Sequence, residues 1–351
     1  MDIKEYIEKI EMPDEKIVEK VQEKQDNLTK PKGSLGRLEE LSSLVCSIKR
    51  SLSPKIGNKV IFTLAADHGI AEEGVSAYPS EVTKEMVYNF IRGGAGINVL
   101  ARHIGAKVII VDMGVKGEIL SDKVVNKKID YGTKNFLKGP AMTKEQAIKS
   151  IIYGIELVEE EMKNKPIDIV GVGDMGIGNT TPSSAIVSAI THIEVEKVTG
   201  RGTGINDEIF KNKIRVIKEG LNLNNPNPED AIDVLSKVGG FEIGGIAGVI
   251  LACAKNKIPV VIDGFISGAG ALISYKLNPI TKNYMIASHQ SVEQGHKILL
   301  DYIGLKPLLN LNLRLGEGTG SCLGIFLVEC AIKILNEMAT FEEAGVSKGI
   351  K

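Results

Sequence analysis

Six short apolar runs rich in β-branched residues recur along the chain, and they constrain its fold more than any other feature. They are "VIFTLAA" (60–66), "KVIIVDM" (107–113), "IDIVGVG" (167–173), "IPVVIDG" (258–264), "YMIASH" (284–289) and "LLNLNLRL" (308–315). Such runs are typical of strands that are buried on both faces. Because longer segments with helical periodicity separate most of them, the sequence predicts an α/β fold, with a doubly wound six-stranded parallel sheet and helices on both of its faces.

Three of the intervening helices carry clear N-terminal signals. Thr143 and Gln146 have the spacing of a capping box. Asn206 and Asn227 are N-cap residues by type, and Asn227 is followed by a proline that suits the first helical position. We therefore expect helices at 143–162, 206–221 and 227–238.

The two ends of the chain lack strands of this kind. Residues 34–52 place five aliphatic side chains on one helical face, and the segment from Ser321 to about Phe341 is also helical in pattern. At 351 residues the chain is long enough for one large domain and a smaller one. We expect the termini, 1–55 and 320–351, to form a small helical domain beside a large parallel α/β domain of residues 56–319.

Composition and charge exclude several classes of function. The net charge is −1 and only 5% of the residues are aromatic, so nothing indicates a nucleic-acid partner. The acidic N-terminus is unlike a targeting peptide, and the apolar stretches are too short to predict insertion into a membrane. The four cysteines are scattered without a C-x-x-C pair. We expect them to be buried thiols of a cytoplasmic protein.

Polar side chains follow the predicted strands at their carboxyl ends. An aspartate in such a place commonly caps a turn. In open α/β sheets, however, ligands bind in the crevice outside these strand ends, so the six positions together predict one shared pocket. They are Asp67–His68, Asp112, Asp174, Asp263, His289 and Glu317.

Two glycine-rich loops favour the binding of an anion. The stretch "GVGDMGIGNTT" (171–181) matches G-x-G-x-x-G in its first six residues, and Glu194 and Glu196 lie about twenty residues on. An NAD-dependent oxidoreductase is therefore an alternative. The chain does not enter a helix directly after this motif, which favours a loop whose N–H groups and hydroxyls receive one phosphate. The stretch "TGRGTG" (199–204) is a second loop of this type.

The remaining chemistry centres on a carboxylate. Five histidines without an H-E-x-x-H motif do not indicate a metal site, and no G-x-S-x-G motif marks a serine nucleophile. Glu317, in "RLGEGTG", is flanked by glycines, and burial there would raise its pKa toward that of a general base. The alternative is a glutamate that is stabilised by the N-terminal turn of the following helix. The spacing leaves both open.

Five motifs in order resemble one known family. They are "TKPKGSLGRLEEL", "DHGIAEEGVSAYPSEVTKEMVYNFIRGGAGINVLAR", "GDMGIGNTTPSSAI", "GRGTG" and "RLGEGTGS", and the likeness runs from about residue 28 to residue 347. The chain resembles the nicotinate-nucleotide–dimethylbenzimidazole phosphoribosyltransferases. The resemblance implies a homodimer that transfers phosphoribose from nicotinate mononucleotide to a benzimidazole-type base, giving an α-ribotide and nicotinate in cobalamin biosynthesis, without a metal or cofactor.

The resemblance also implies roles for single residues. Glu317 matches the general base, Asp174 stands where the family usually has glutamate, and Lys213 matches a lysine near the site. The implied binding residues are Gly176, Asn179, Thr180, Thr181 and Gly202 for the 5′-phosphate, Asp263, Gly264 and Ser291 for the nucleotide end, and Ser80, Tyr88, Met175 and Leu315 for the base pocket.

Three of these assignments have alternatives. The shorter Asp174 fits a role in steadying charge or water better than a direct proton relay, and it raises the alternative of a non-catalytic subunit that pairs with an active homologue. Lys213 could be an ordinary helix lysine, and Tyr88, where relatives often carry glutamine, a packed aromatic. A hydrophobic slot discriminates weakly among flat rings, so the acceptor base is not identified.

Overall fold

A single six-stranded sheet organises the protein, seen here in a computed structural model that describes residues 2–347. The strands are β1 (Lys59–Ala66), β2 (Lys107–Gly114), β3 (Val124–Asn126), β4 (Ile169–Met175), β5 (Val260–Ile262) and β6 (Met285–Ala287). Their order is β3-β2-β1-β4-β5-β6, and every neighbouring pair is parallel. The predicted α/β fold with a six-stranded parallel sheet is confirmed.

Strand β1 shows why the sheet is covered on both faces. All eight of its residues are buried. Val60, Phe62 and Leu64 pack into one hydrophobic cluster, whereas Ile61 and Ala65 pack into another. Since successive side chains of a strand point to opposite faces, the two clusters are the two helix-covered sides of the sheet.

The prediction of a strand at 308–315 is wrong. Its alternating leucines imitate the period of a strand, but the segment runs irregularly beside the end of β6, where Leu308 and Leu309 donate N–H groups to Ala287 and Ser288. The sixth strand is β3, which pairs with β2 at the edge of the sheet. Its three residues are partly exposed, so it carries no buried apolar run in the sequence.

The helices lie between and around the strands. The described residues contain α1 (Ile3–Ile7), α2 (Lys16–Asn27), α3 (Arg37–Lys49), α4 (Glu81–Arg92), α5 (Gly96–Ile104), α6 (Lys144–Asn164), α7 (Thr180–Thr191), α8 (Val195–Val198), α9 (Asp207–Asn224), α10 (Ala231–Val238), α11 (Phe241–Lys255), α12 (Phe265–Leu277), α13 (Gln294–Ile303) and α14 (Thr319–Glu337).

Most of the predicted helix starts are where the capping residues indicated. Thr143 and Gln146 form a reciprocal capping box on α6, and Asn206 caps α9 by accepting the N–H of Ile209. The start of α10 differs from the prediction at Asn227. Asp230 is its N-cap, and its carboxylate accepts two backbone N–H groups of the first turn.

The terminal helices pack together and also against the sheet. Leu41 of α3, Ile325 of α14 and Ile61 of β1 share one hydrophobic cluster, and Val21 of α2 packs with Leu335 of α14 in a smaller one. Helix α14 is long and apolar enough to cross a membrane by length and composition, but most of it is buried inside the protein. The division into two domains stays a prediction.

The cysteines agree with the expectation of unpaired thiols. Within residues 2–347 none of the four forms a disulfide; Cys46, Cys253 and Cys322 are buried as expected, whereas Cys330 is only partly buried.

Candidate active site

The strand order creates a crevice at the carboxyl ends of β1 and β4. From β1 the chain continues to β2 on one side, and from β4 it continues to β5 on the other. The loops that leave these two strands therefore diverge, which is where doubly wound sheets bind their ligands. A cavity of about 410 Å³ lies at this position, with Asp174, Glu317 and the loop around Gly176 in its wall.

The turn that carries Glu317 approaches the sheet very closely. Gly316, Glu317 and Gly318 all have positive φ angles, of 82°, 65° and 98°. This region favours glycine and is uncommon for glutamate. A Cβ atom at Gly173 of β4 would lie 2.3 Å from the carbonyl carbon of Glu317. The glycines around Glu317 therefore allow backbone to pack on backbone.

Hydrogen bonds from distant parts of the chain hold this turn. Glu317 N–H donates to the carbonyl of Asp174 (3.1 Å), and Thr63 Oγ1 donates to the carbonyl of Glu317 (2.8 Å). The buried carboxylate of Asp263 accepts the N–H groups of Gly318 and Gly320, at 2.8 and 2.7 Å. The unusual backbone of Glu317 is thus fixed from several sides, as strained residues at functional sites commonly are.

Two opposing effects act on the carboxylate of Glu317. The residue is 4% exposed, and burial raises its pKa. In the other direction, Oε2 accepts the N–H of Ile97 (3.0 Å) at the N-terminus of α5, and these backbone hydrogen bonds favour the ionised form. Burial is the larger effect, so the pKa stays raised. The N-terminal turn that stabilises this carboxylate is that of α5. The alternative considered from the sequence was the N-terminal turn of the helix that follows Glu317.

Asp174 ends β4 beside this turn. Its Oδ2 accepts a hydrogen bond from Asn179 Nδ2 (2.9 Å), and a Cβ atom at Gly316 would lie 3.2 Å from the same oxygen. Burial, assisted by the charge of Glu242, raises the pKa of Asp174 to about 7. The side chain therefore changes its protonation state near neutral pH.

A fully buried pair lies behind the loop that contains Gly176. His68 Nε2 lies 2.8 Å from Glu242 Oε1, and neither side chain is exposed. Burial alone would lower the pKa of His68, but the charge of Glu242 and its hydrogen bond outweigh burial and raise it. A Cβ atom at Gly176 would lie 2.2 Å from the carbonyl oxygen of Ala66 and 3.1 Å from His68 Nε2. Gly176 is therefore required by close packing.

Lys213 connects the two glycine-rich loops. It lies on α9 and is fully buried, and its Nζ donates to Thr180 Oγ1 (2.7 Å) and to the carbonyl of Gly200 (3.3 Å). Burial lowers the pKa of Lys213 to about 8, while the charge of Glu293 acts in the opposite direction. Lys213 is therefore not a solvated helix lysine. It is a buried cation one layer behind the cavity wall.

Ten of the predicted site residues line the cavity together. They are Asp174, Met175, Gly176, Asn179, Thr180, Gly202, Gly264, Ser291, Leu315 and Glu317. Two others support the wall from behind. Asp263 is the buried carboxylate that binds the turn at 318–320, and Thr181 is a fully buried residue whose hydroxyl has no hydrogen-bond partner among the described residues.

Ser80 and Tyr88 are not among the residues that line this cavity, and their role in the base pocket stays a prediction. They line a neighbouring surface depression with Lys84 and Lys116. Residues 80, 84 and 88 share one face of α4, and the opposite face presents Val82 and Met86 to the cavity.

Several lining residues were missed by the sequence analysis. They are Val75, Ser76, Tyr78, Val82, Met86, Thr203, Phe265, Ile266, Glu293 and Arg314. The helical spacing of Val82 and Met86 was the one available signal for the apolar wall. Nothing in the sequence distinguished Glu293 from a solvated glutamate before a helix.

The predicted shared pocket at the strand ends is only partly formed. Asp174, His289 and Glu317 line the cavity. Asp112 instead caps its own turn, through the N–H groups of Gly114 and Val115. Asp67 accepts the N–H of Lys116. Within residues 2–347, no group of three or more His, Cys, Asp or Glu side chains is arranged to hold a metal ion.

Comparisons with known proteins agree with this architecture. The family described as "Phosphoribosyltransferase" matches residues 10–346. A nicotinate-nucleotide–dimethylbenzimidazole phosphoribosyltransferase of Geobacter sulfurreducens is 55% identical over 98% of both chains, and one of Desulforamulus reducens is 54% identical over 98% of this chain and 99% of that protein. The crystal structure of CobT from Thermus thermophilus matches with a TM-score of 0.91 at 40% identity, covering 95% of this chain and all of that one. The chain belongs to this phosphoribosyltransferase family.

Proposed function

We propose that this protein transfers phosphoribose from nicotinate mononucleotide to 5,6-dimethylbenzimidazole or a related base, forming α-ribazole 5′-phosphate and nicotinate for cobalamin biosynthesis. One observation carries the proposal. Glu317 places a nearly buried carboxylate with a raised pKa in the wall of a cavity that has apolar side chains and a glycine-rich anion loop around it. The names of the relatives supply the substrate class.

The proposed reaction needs one base and no covalent intermediate. One ring nitrogen of the acceptor attacks C1′ of the ribose from the face opposite nicotinate. The bond from C1′ to the nicotinate nitrogen breaks, and its electron pair leaves with nicotinate, so the configuration at C1′ inverts. The carboxylate of Glu317 takes the proton from the other ring nitrogen.

Apolar side chains support a slot for the flat base. Met175, Leu315, Val82 and Met86 line the cavity near the turn that carries Glu317. Thioether and aliphatic groups pack against rings of several shapes, so this wall would accept related bases. Ser80 and Tyr88 stay predictions without support from the shape of the cavity.

The glycine-rich loops support a phosphate site at the other end. Gly176 and Asn179 lead into the N-terminus of α7, whose N–H groups and helix dipole favour an anion. The buried ammonium of Lys213 stands behind Thr180. We assign to Asp174, whose pKa is about 7, a role in steadying charge near the ribose.

The test is an assay with purified protein, nicotinate mononucleotide and a panel of benzimidazoles, adenine and phenols, followed by chromatography with mass detection. Base-dependent release of nicotinate with formation of an α-ribotide is expected. Tight NAD(H) binding without nicotinate release would favour the oxidoreductase. A folded protein that releases no nicotinate with any base would favour a non-catalytic subunit.

The same proposal includes assembly and location. A homodimer is expected from the family resemblance, and light scattering of the purified protein tests it. A cytoplasmic location is expected because the unpaired thiols suit a reducing compartment.

A further inference from the structure

The second glycine-rich loop already holds an anion that belongs to the protein. Glu293, immediately before α13, reaches the loop at 199–204, where its Oε1 accepts the N–H of Gly202 at 2.8 Å. Glu293 is 5% exposed, and Oε2 is buried without a hydrogen-bond partner among the described residues. Burying a carboxylate oxygen without a hydrogen-bond partner costs free energy, so the position of Glu293 requires an explanation.

The loop is shaped around this carboxylate. A Cβ atom at Gly200 would lie 2.1 Å from Glu293 Oε2 and 2.6 Å from its carboxyl carbon. Any side chain at position 200 would therefore expel the carboxylate. Gly202 has a φ of 52° and turns its N–H toward the same group.

Among the described residues, no carboxylate lies in direct contact with the nearby cation. Lys213 Nζ donates to Thr180 Oγ1 and to the carbonyl of Gly200, and both acceptors are neutral. A Cβ atom at Gly202 would lie 2.8 Å from Thr180 Oγ1 and 3.5 Å from Lys213 Nζ. The loop N–H, the threonine hydroxyl and the lysine thus surround one small region, and Glu293 supplies the negative charge there.

We infer that Glu293 is an internal competitor of the substrate phosphate, and that its carboxylate must leave the N–H of Gly202 before a phosphate monoester binds this loop. The inference rests on the proposed function and adds a residue that tunes affinity for the nucleotide. One N–H cannot serve two anions, and a phosphate dianion beside a buried carboxylate is repelled. The displacement weakens the binding of ground state and transition state alike, so it acts on KM and leaves kcat in place.

The test is Glu293→Gln, which keeps an oxygen that accepts from Gly202 and removes the charge. We expect the KM for nicotinate mononucleotide and the inhibition constant of inorganic phosphate each to fall by roughly tenfold, with kcat within about twofold, since a neutral acceptor binds the loop less strongly than a carboxylate. Glu194→Gln is the matched control. Its side chain is 70% exposed, and the substitution changes the net charge equally.

An unchanged or higher KM in Glu293→Gln, together with an unchanged inhibition constant for phosphate, would overturn the inference. Turnover by the wild-type protein would still support the transferase in that case, so the two proposals fail separately. A crystal structure of the wild-type protein with inorganic phosphate gives a second answer that does not depend on the variant. Phosphate bound to Gly202 N–H with Glu293 displaced supports the inference. Phosphate bound elsewhere with the Glu293–Gly202 hydrogen bond intact refutes it.

Discussion

At the scale of the residue, Glu317 combines burial with stabilisation by the N-terminus of α5. Burial raises the pKa of the carboxyl, and the hydrogen bond from the N–H of Ile97 partly offsets that shift. The net result is a carboxyl whose pKa is raised above that of a solvent-exposed glutamate, as suits the proposed general base. Proton transfer to such a group is efficient because its pKa is closer to the working pH.

The first prediction is that Glu317→Gln leaves a folded protein and lowers kcat by ~10²–10⁴-fold, since the amide cannot accept the ring proton. The wild-type rate should fall as the pH drops through the raised pKa of Glu317, and the variant should lose this acidic limb. Steady-state kinetics from pH 5 to 8 measure both. Glu85→Gln, an exposed glutamate of α4, is the control. Turnover near the wild-type level in Glu317→Gln would remove Glu317 as the base.

The second prediction concerns Asp174 and stability. Its folded-state pKa of about 7 lies above the unfolded value, so the unfolded chain releases this proton first and stability falls as the pH rises from about 4 to 7. This loss in the free energy of unfolding approaches about 4 kcal/mol above pH 7. Asp174→Asn should therefore unfold at higher denaturant than wild type at pH 7.5, with a smaller difference at pH 4.5. Urea titrations measure it, and a difference that is independent of pH would contradict it.

The third prediction tests whether the buried Lys213 contributes to substrate binding or only to the structure. Lys213→Met removes a buried cation that holds Thr180, so the KM for nicotinate mononucleotide should rise roughly 10- to 100-fold, the value of a charge-assisted hydrogen bond. The folded-state pKa of about 8 lies below the unfolded value, so wild-type stability should rise between about pH 8 and 10.5, and the variant should lose that rise. Lys211→Met on the same helix is the control. An unchanged KM would leave Lys213 a structural residue.

At the scale of the element, β4 has to make room for the turn that carries Glu317. Gly173 lies directly beneath this turn, and any side chain there would clash with the backbone of Glu317 and Gly318. Glycine is normally disfavoured inside a strand because it has no side chain to pack. In β4 the missing side chain allows the turn at 316–318 to approach the strand closely.

The fourth prediction follows from that contact. Gly173→Ala should destabilise the protein by ~1–3 kcal/mol through overpacking, and it should lower kcat about 100-fold or more by displacing Glu317. Thermal unfolding and kinetics on the same sample measure the two effects. Gly57→Ala is the matched control, because its new Cβ would meet only Asp168 Oδ2, at 3.5 Å. Full activity in Gly173→Ala would show that the turn tolerates displacement.

The sequence predicted those elements whose signal is local. Buried runs such as 60–66 and the capping box at Thr143 gave β1 and α6 close to their actual bounds. Strand β3 was not predicted because its three partly exposed residues at the edge of the sheet show no apolar pattern. The segment 308–315 was wrongly predicted as a strand because its leucines alternate as those of a strand do. The face of α4 and the position of Glu293 depend on tertiary contacts between distant segments, which no local pattern contains.

At the scale of the whole molecule, the terminal helices and the sheet share apolar contacts. Leu41 of α3, Ile61 of β1 and Ile325 of α14 belong to one hydrophobic cluster. Separation of the helices from the sheet would expose apolar surface on both sides.

The fifth prediction is therefore that the protein unfolds in one cooperative transition, although its length would allow two. Far-ultraviolet circular dichroism and tyrosine fluorescence should give the same midpoint in urea. Two separated transitions, with the terminal helices lost first, would instead establish the small helical domain as an independent unit.

The turn at 316–318 also has a consequence for the order in which the protein is made. Its partners Thr63, Asp174 and Asp263 leave the ribosome long before Glu317 does. Without this turn the surface above Gly173 would be uncovered, and Asp263 would lack the N–H groups that it binds. The carboxylate of Glu317, the proposed base, is thus held in place only once segments that are far apart in the chain have come together. Its position therefore depends on long-range contacts that form together with the sheet, in keeping with a single cooperative unfolding transition.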